Sequence, residues 1–140
     1  MFKEVTTKES YQDVLSIREA VFIEEQGVSR DEEIDEYEST AHYIIGYDSE
    51  GKPMATARYR SVDDTAKIER VAVMKAYRGQ GIGKQLILAL EQIAAQHGFS
   101  HFKLGAQTHA IPFYESLGYR VYGDTFMDAG IPHRYMSKTL

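Results

Sequence analysis

Arg78-Gly79-Gln80-Gly81-Ile82-Gly83-Lys84 stands between the run Lys67-Ile68-Glu69-Arg70-Val71-Ala72-Val73-Met74 and a segment in which Ile82, Leu86, Leu90, Ile93 and Ala94 recur at helical spacing. The first flank reads as a strand by its β-branched content and its length, and the second as an amphipathic helix that Gly98 stops. A strand, a loop of alternating glycines and a helix start together make a cradle for an anion. The glycines let successive backbone N–H groups converge at the positive end of the helix. The plainer reading is a tight strand-to-helix connection without a ligand, although one or two glycines suffice for a turn.

Two familiar phosphate loops fail on the residues. A P-loop needs G-x-x-x-x-G-K-[ST], but Gly83-Lys84 is followed by Gln85, and Arg78 occupies the place of the first glycine. The dinucleotide pattern G-x-G-x-x-G, started at Gly79, meets Lys84 where its third glycine belongs. What remains is R-x-x-G-x-G, carried by Arg78, Gly81 and Gly83.

That arrangement resembles the acyl-CoA loop of the GNAT family of N-acetyltransferases, in which loop amides and a helix start hold the coenzyme's pyrophosphate. A second stretch, Gln107-Thr108-His109-Ala110-Ile111-Pro112-Phe113-Tyr114-Glu115-Ser116-Leu117-Gly118-Tyr119, resembles the family's N-x-x-A-x-x-F-Y-x-x-x-G-[FY] motif. Ala110, Phe113, Tyr114, Gly118 and Tyr119 match, while Gln107 replaces the asparagine and offers the same amide on a longer arm. The motifs lie in the family's order and cover roughly residues 67 to 119.

The resemblance implies an α/β (α+β) fold, a mixed and mostly antiparallel sheet flanked by helices on both faces. It implies acetyl-CoA as co-substrate, held by Arg78, Gly79, Gln80, Gly81, Ile82, Gly83 and Lys84 together with Gln107 and Tyr114. The backbone of Val71, Ala72 and Val73 would run beside the pantetheine arm. A small bacterial branch with ElaA-like and glyphosate N-acetyltransferase-like members is the nearest likeness, and it implies a homodimer.

Composition sets outer bounds. With 140 residues, the chain fits one domain over 1–140. A net charge of −5 lacks the basic field of a nucleic-acid binder. No apolar run reaches the ~18 residues of a membrane span, and Met1-Phe2-Lys3-Glu4 lacks a signal peptide's apolar core, so a cytoplasmic protein is expected. The absence of cysteine excludes disulfides, thiolate metal sites and an acyl-cysteine intermediate.

Along the chain, Phe2 to Thr6 reads as a short strand, and Ser10 with Asp13 as a capping box opening a helix that Gly27 ends. The acidic run from Asp31 to Glu38 reads as a loop. A hairpin joins His42–Tyr47 to Met54–Arg60 across Asp48 to Pro53, and Asp63-Asp64-Thr65 turns into the strand before the glycines. Beyond Gly98 follow strand His101–Ala106, short helix Ala110–Leu117, strand Tyr119–Tyr122 and strand Arg134–Thr139, giving the order β-α-β-β-β-α-β-α-β-β on a single mixed sheet.

Several side chains suit amine acylation. When an amine attacks a thioester, coenzyme A departs as a thiolate that a phenol can protonate, which makes Tyr114 the candidate general acid; otherwise it packs in the core. An amine of pKa about 10 costs roughly 4 kcal/mol to neutralise at pH 7, so a base is valuable. Two candidates stand. Glu69 is expected to share a strand face with Val71 and Val73, or else to pair on the surface with Arg70 or Lys67. His133, in Gly130-Ile131-Pro132-His133-Arg134-Tyr135-Met136, resembles a histidine that serves the acceptor in that small bacterial branch, or else is a surface residue.

The resemblance to that small bacterial branch, whose first helix and following loop border the acceptor, implies that Arg18, Phe22 and Gln26 lie there, with Arg18 binding an acceptor anion or, as the commoner fate, an ion-pair partner at the surface. The acidic run would draw in a cationic amine by its field, or simply form a solvated loop. His42, His97, His101 and His109 show no ligand-like grouping, so no metal is expected. The acceptor would be a small primary amine, with a protein lysine or N-terminus and a non-catalytic acyl-CoA sensor as alternatives.

Overall fold

The computed structural model describes the backbone of residues 1–140 and every side chain except those of Asp31 and Glu32. Seven strands join one sheet in the order β1-β2-β3-β4-β5-β7-β6. They are β1 (Phe2–Glu4), β2 (His42–Tyr47), β3 (Pro53–Val62), β4 (Thr65–Val73), β5 (His101–Gln107), β6 (Arg120–Asp128) and β7 (Ile131–Thr139). All neighbours run antiparallel except β4 and β5, the pair whose crossover passes through a helix, as parallel strands require. The sheet is thus mixed and mostly antiparallel, as expected.

Helices α1 (Lys8–Arg18) and α3 (Ile82–Gln96) cover opposite faces, and α4 (Ile111–Ser116) joins the α3 side. Val14, Ile17 and Val21 pack against Tyr43, Ile45 and Ala72 on one face. Leu86, Ile87, Leu90 and Ala94 of α3 are fully buried against Ile44, Ala57, Ile68 and Leu104 on the other. Each of those large aliphatic side chains contributes roughly 1.5–3 kcal/mol by leaving water, which is why the helical spacing after Gly83 is strict.

Both two-residue turns on the sheet have positive φ at their two central residues, Asp63 and Asp64 between β3 and β4, and Ala129 and Gly130 between β6 and β7. That geometry matches the twist of a hairpin. The β6–β7 hairpin is longer than the sequence suggested. Gly123-Asp124-Thr125, which looks like a strand end, is absorbed as a bulge between the Tyr122↔Tyr135 and Phe126↔His133 pairs.

The first helix also departs from expectation. Its cap is Thr7, whose Oγ1 accepts from Ser10 N at 3.1 Å, so the box is Thr7 with Ser10 rather than Ser10 with Asp13. After Arg18 the helix loosens into a π-helical segment, Glu19–Glu25, before Gly27 turns the chain at φ +73. A four-residue helix α2 (Arg30–Glu33) then opens the acidic run, where the composition predicts loop.

Candidate active site

The site begins with a β-bulge. Thr56 pairs with Ala72 and Arg58 with Glu69, so Ala57 on β3 faces two residues on β4, Arg70 and Val71. Arg70 accommodates the extra length at φ +54. Alternation is therefore reversed past the bulge. Val71 and Val73 pack with the α3-side cluster, while Glu69 stays beside Arg58 on the α1 side, so Glu69 does not share a face with Val71 and Val73.

Beyond the bulge β4 and β5 part. Their ladder joins only Ala66–Ile68 to Phe102–Leu104. Between the diverging ends lies a cleft of ≈ 710 Å³, lined by Val71, Ala72 and Val73 from one strand and by Gly105, Ala106 and Gln107 from the other. Arg78, Tyr114, Glu69 and His133 line it too, as do Phe22 of the π-helical segment and Gln26 just after it. Arg18 does not.

The glycine loop adjoins this cleft through Arg78. Gly79 and Gly81 take φ +77 and +79, and a Cβ at either would meet nothing within 4 Å, so conformation rather than crowding requires glycine there. Gly83 is different: a Cβ would approach Phe113 Cζ at 3.2 Å. Gly81 caps α3 with no side-chain hydrogen bond, and the first turn carries no acid. Among the described residues, no side chain thus accepts from the first N–H groups of this 15-residue helix, which fits an anion at this end. Ile82 is half-buried, whereas Gln80 and Lys84 are exposed, Gln80 donating to the Ala76 carbonyl at 3.4 Å.

Tyr114 enters from the α3 side, where it packs with Tyr119 and Phe113. Its hydroxyl has no hydrogen-bond partner among the described residues, and burial pushes the phenol well above its ordinary pKa. His133 lies three residues before Met136 of that same core, hence on the other side of the sheet, opposite Gln107 and stacked 5.6 Å from Phe126. The contact of its Nδ1 with the Ile131 carbonyl at 2.7 Å can only be a donation, which leaves the lone pair on Nε2. The cleft passes through the sheet and is served by a phenol from one face and an imidazole from the other.

Beneath the α1 side lies a charge cluster that the sequence did not disclose. Arg58 is fully buried and bonds Asp35 (Nη1–Oδ1 3.0 Å), Glu38 (Nη1–Oε2 2.9 Å) and Glu69 (Nη2–Oε1 3.0 Å). Arg60 reaches the same Glu69 oxygen at 3.1 Å, and Lys67 the other at 3.5 Å. Arg18, 1% exposed, binds Glu33 and Glu38 at 2.7 Å each, so it is a buried ion-pair former and neither a surface group nor an acceptor ligand. Arg70 contacts Glu33 and Asp35. The expected solvated acidic loop is in fact pinned to the sheet through Glu33, Asp35 and Glu38; Asp31 and Glu32 lie outside the described side chains.

Burial opposes ionisation and is the largest influence on Asp35, Glu38 and Glu69, yet hydrogen bonds and positive charge outweigh it. Arg58 does this chiefly for Asp35, Arg18 for Glu38 and Arg60 for Glu69, and all three carboxyls fall below their usual range. A carboxylate so compensated is a weak base. Of the sequence-derived candidates, the structure therefore brings Tyr114, His133, Phe22, Gln26, Gln107, Val71 to Val73 and, from the glycine loop, Arg78 to one cleft, seats Glu69 at its charged margin, and leaves Arg18 outside it.

A family model described as an acetyltransferase (GNAT) domain matches residues 5–140. The chain belongs to the GNAT family of acetyltransferases. The uncharacterized N-acetyltransferase YjcF of Bacillus subtilis is 46% identical to this GNAT chain over 132 residues, covering 94% of each. Escherichia coli ElaA superposes with a TM-score of 0.87 at 28% identity, over 99% of this chain and 98% of that one. An aminoglycoside 6'-N-acetyltransferase complexed with coenzyme A shares the GNAT fold at a TM-score of 0.79 and 16% identity, over 99% of this chain and 96% of its own. The protein is an acyltransferase enzyme of the GNAT family.

Proposed function

We propose that the enzyme moves an acetyl group from acetyl-CoA directly to the primary amine of a small molecule. The observation that carries this reading is the parting of β4 and β5 beyond Ile68 and Leu104. It sets two unpaired strand edges beside an uncapped helix start, with Tyr114 and His133 reaching the same cleft from opposite faces.

The glycine loop, from Arg78 to Lys84, and the start of α3 would take the diphosphate, and the backbone edge of Val71, Ala72 and Val73 the amides of the pantetheine arm. His133 Nε2 takes the proton from the attacking ammonium or amine. A backbone N–H on the β4 edge steadies the oxyanion that forms as nitrogen bonds to the acyl carbon. When the carbon–sulfur bond breaks, Tyr114 gives its hydroxyl proton to the departing sulfur and regains one from solvent. Its raised pKa does not disqualify it, because the dry site that makes a phenolate costly makes a bare thiolate costly as well.

The sensor alternative has no use for a histidine with a free Nε2 in the cleft. Glu69 fits better as an anchor for cations than as the base. The test of the coenzyme assignment is Gly81→Val, which forces a β-branched residue to φ +79 in open space. Acetyl-CoA binding by calorimetry is expected to vanish while the thermal transition persists, and unchanged affinity would overturn the assignment. Thiol release with a panel of amines, amino acids, amino sugars and peptides identifies the acceptor, and turnover of peptides alone would replace the small-molecule reading.

A further inference from the structure

The phosphate end of the cleft and its acceptor wall are tied together by two consecutive residues. Glu25, the last residue of the π-helical segment, meets Arg78 through two parallel bonds, Nη1–Oε2 at 2.7 Å and Nη2–Oε1 at 2.6 Å. Arg78 Nε donates to the Val73 carbonyl at 2.9 Å, so every nitrogen of the guanidinium is engaged. The next residue, Gln26, accepts from Gln107 Nε2 at 3.2 Å. Val73 and Arg78 belong to the β4 lip of the split and Gln107 to the β5 lip, so one helical turn reaches both. Phe22 sits on that same turn and lines the cleft. Gly27 follows at φ +73 with open space around it, a place where the chain can pivot.

An anion reaching the glycine loop finds Arg78 already holding Glu25. That pair is exposed, 43% and 37%, and exposed pairs are weak and screened by salt. A diphosphate offers the same planar fork more charge and more acceptor oxygens. We propose that Glu25 competes with the coenzyme's diphosphate for Arg78, and that its displacement frees the turn from Phe22 to Gln26, so that the acceptor wall loosens only after the coenzyme has bound. The inference rests on coenzyme A occupying the loop. Because coupling is reciprocal, an acceptor that favours the loosened wall also tightens coenzyme binding.

Calorimetry with coenzyme A and with pantetheine, which lacks the diphosphate, tests the first step in the wild-type chain and in Glu25→Gln. The variant should bind coenzyme A about 3- to 5-fold tighter, the equivalent of a weak exposed pair, with the gain shrinking at high salt. Pantetheine affinity should not change. Weaker coenzyme binding by Glu25→Gln would overturn the proposal, since Glu25 would then organise Arg78 rather than compete for it. An equal gain for pantetheine would overturn it as well, by locating the effect away from the diphosphate. Failure of the wild-type chain to bind coenzyme A at all would instead remove the coenzyme assignment.

The chain contains no tryptophan, so Phe22→Trp supplies a single reporter on the turn. Coenzyme A should shift its emission toward that of water-exposed indole and pantetheine should not; adding Glu25→Gln should produce the shift before any ligand is present. Emission that ignores coenzyme A would overturn the loosening of the wall.

Discussion

Arg58 and Glu69 stand directly opposite each other on β3 and β4, and one carboxylate oxygen of Glu69 receives both Nε, at 3.2 Å, and Nη2, at 3.0 Å, of Arg58. The same guanidinium also holds Asp35 and Glu38, so one fully buried cation anchors three carboxylates and with them the segment that leads into β2. Arg58→Met should therefore destabilise the fold by about 3 kcal/mol or more, the scale for leaving buried charges without their partner. Urea unfolding measures this. A loss below about 0.5 kcal/mol, the range of ordinary surface changes, would mean that water already compensates those carboxylates.

Acid should release the same cluster. Asp35, Glu38 and Glu69 hold pKa values below those of the unfolded chain, so between the two sets of values the unfolded state binds more protons. The contribution is complete above about pH 5, where even the unfolded carboxyls are ionised, and falls as pH drops through the depressed folded values. Midpoints of urea unfolding should be level from pH 7 to about 5 and then decline. A profile that stays flat to about pH 3 would contradict these shifts.

Loss of the imidazole should act on chemistry and not on coenzyme binding. His133→Ala is expected to lower kcat/KM by about 10²- to 10⁴-fold with acetyl-CoA affinity unchanged. An unaltered kcat/KM in the variant would point to another group as the base.

Removing the phenolic oxygen is the parallel test on the opposite face. Tyr114→Phe keeps the ring packed against Phe113 and Tyr119 and deletes a hydroxyl with no hydrogen-bond partner among the described residues, so stability should hold or rise slightly. Turnover should fall by about 10²-fold. An unaltered turnover number would reduce Tyr114 to core packing.

The elements with strong periodicity were legible in the chain. The α3 stripe, the β2–β3 hairpin, the Asp63-Asp64 turn and the two motifs around the cleft all lie where local chemistry puts them. What escaped depended on partners distant in sequence. A strict period of two carries Glu69 onto the face of Val71, and only the extra residue at the Arg70 bulge, set by pairing with β3, takes it off. The acids at 33, 35 and 38 look like solvent-facing charges until Arg18, Arg58 and Arg70 come from α1, β3 and β4 to meet them. One signal did exist: Arg58 falls in phase with Thr56 between Ala57 and Tyr59, in the middle of a largely buried strand, where a charge implies a buried counter-charge. Glu25 carried no such mark, since its partner Arg78 lies 53 residues away.

The parting of β4 and β5 has a consequence for encounters with other polypeptides. Unpaired strand edges usually sit at the rim of a sheet, where any extended chain can add to them and start aggregation. Here a pair of such edges lies in the interior of a seven-stranded sheet, hinged at Ala66–Ile68 and flanked by α1 on one side and α3 on the other. An incoming polypeptide strand would have to fit its side chains between those two helices to reach them. The fold thus keeps this pair of adhesive edges away from the rim, where other chains would meet them first.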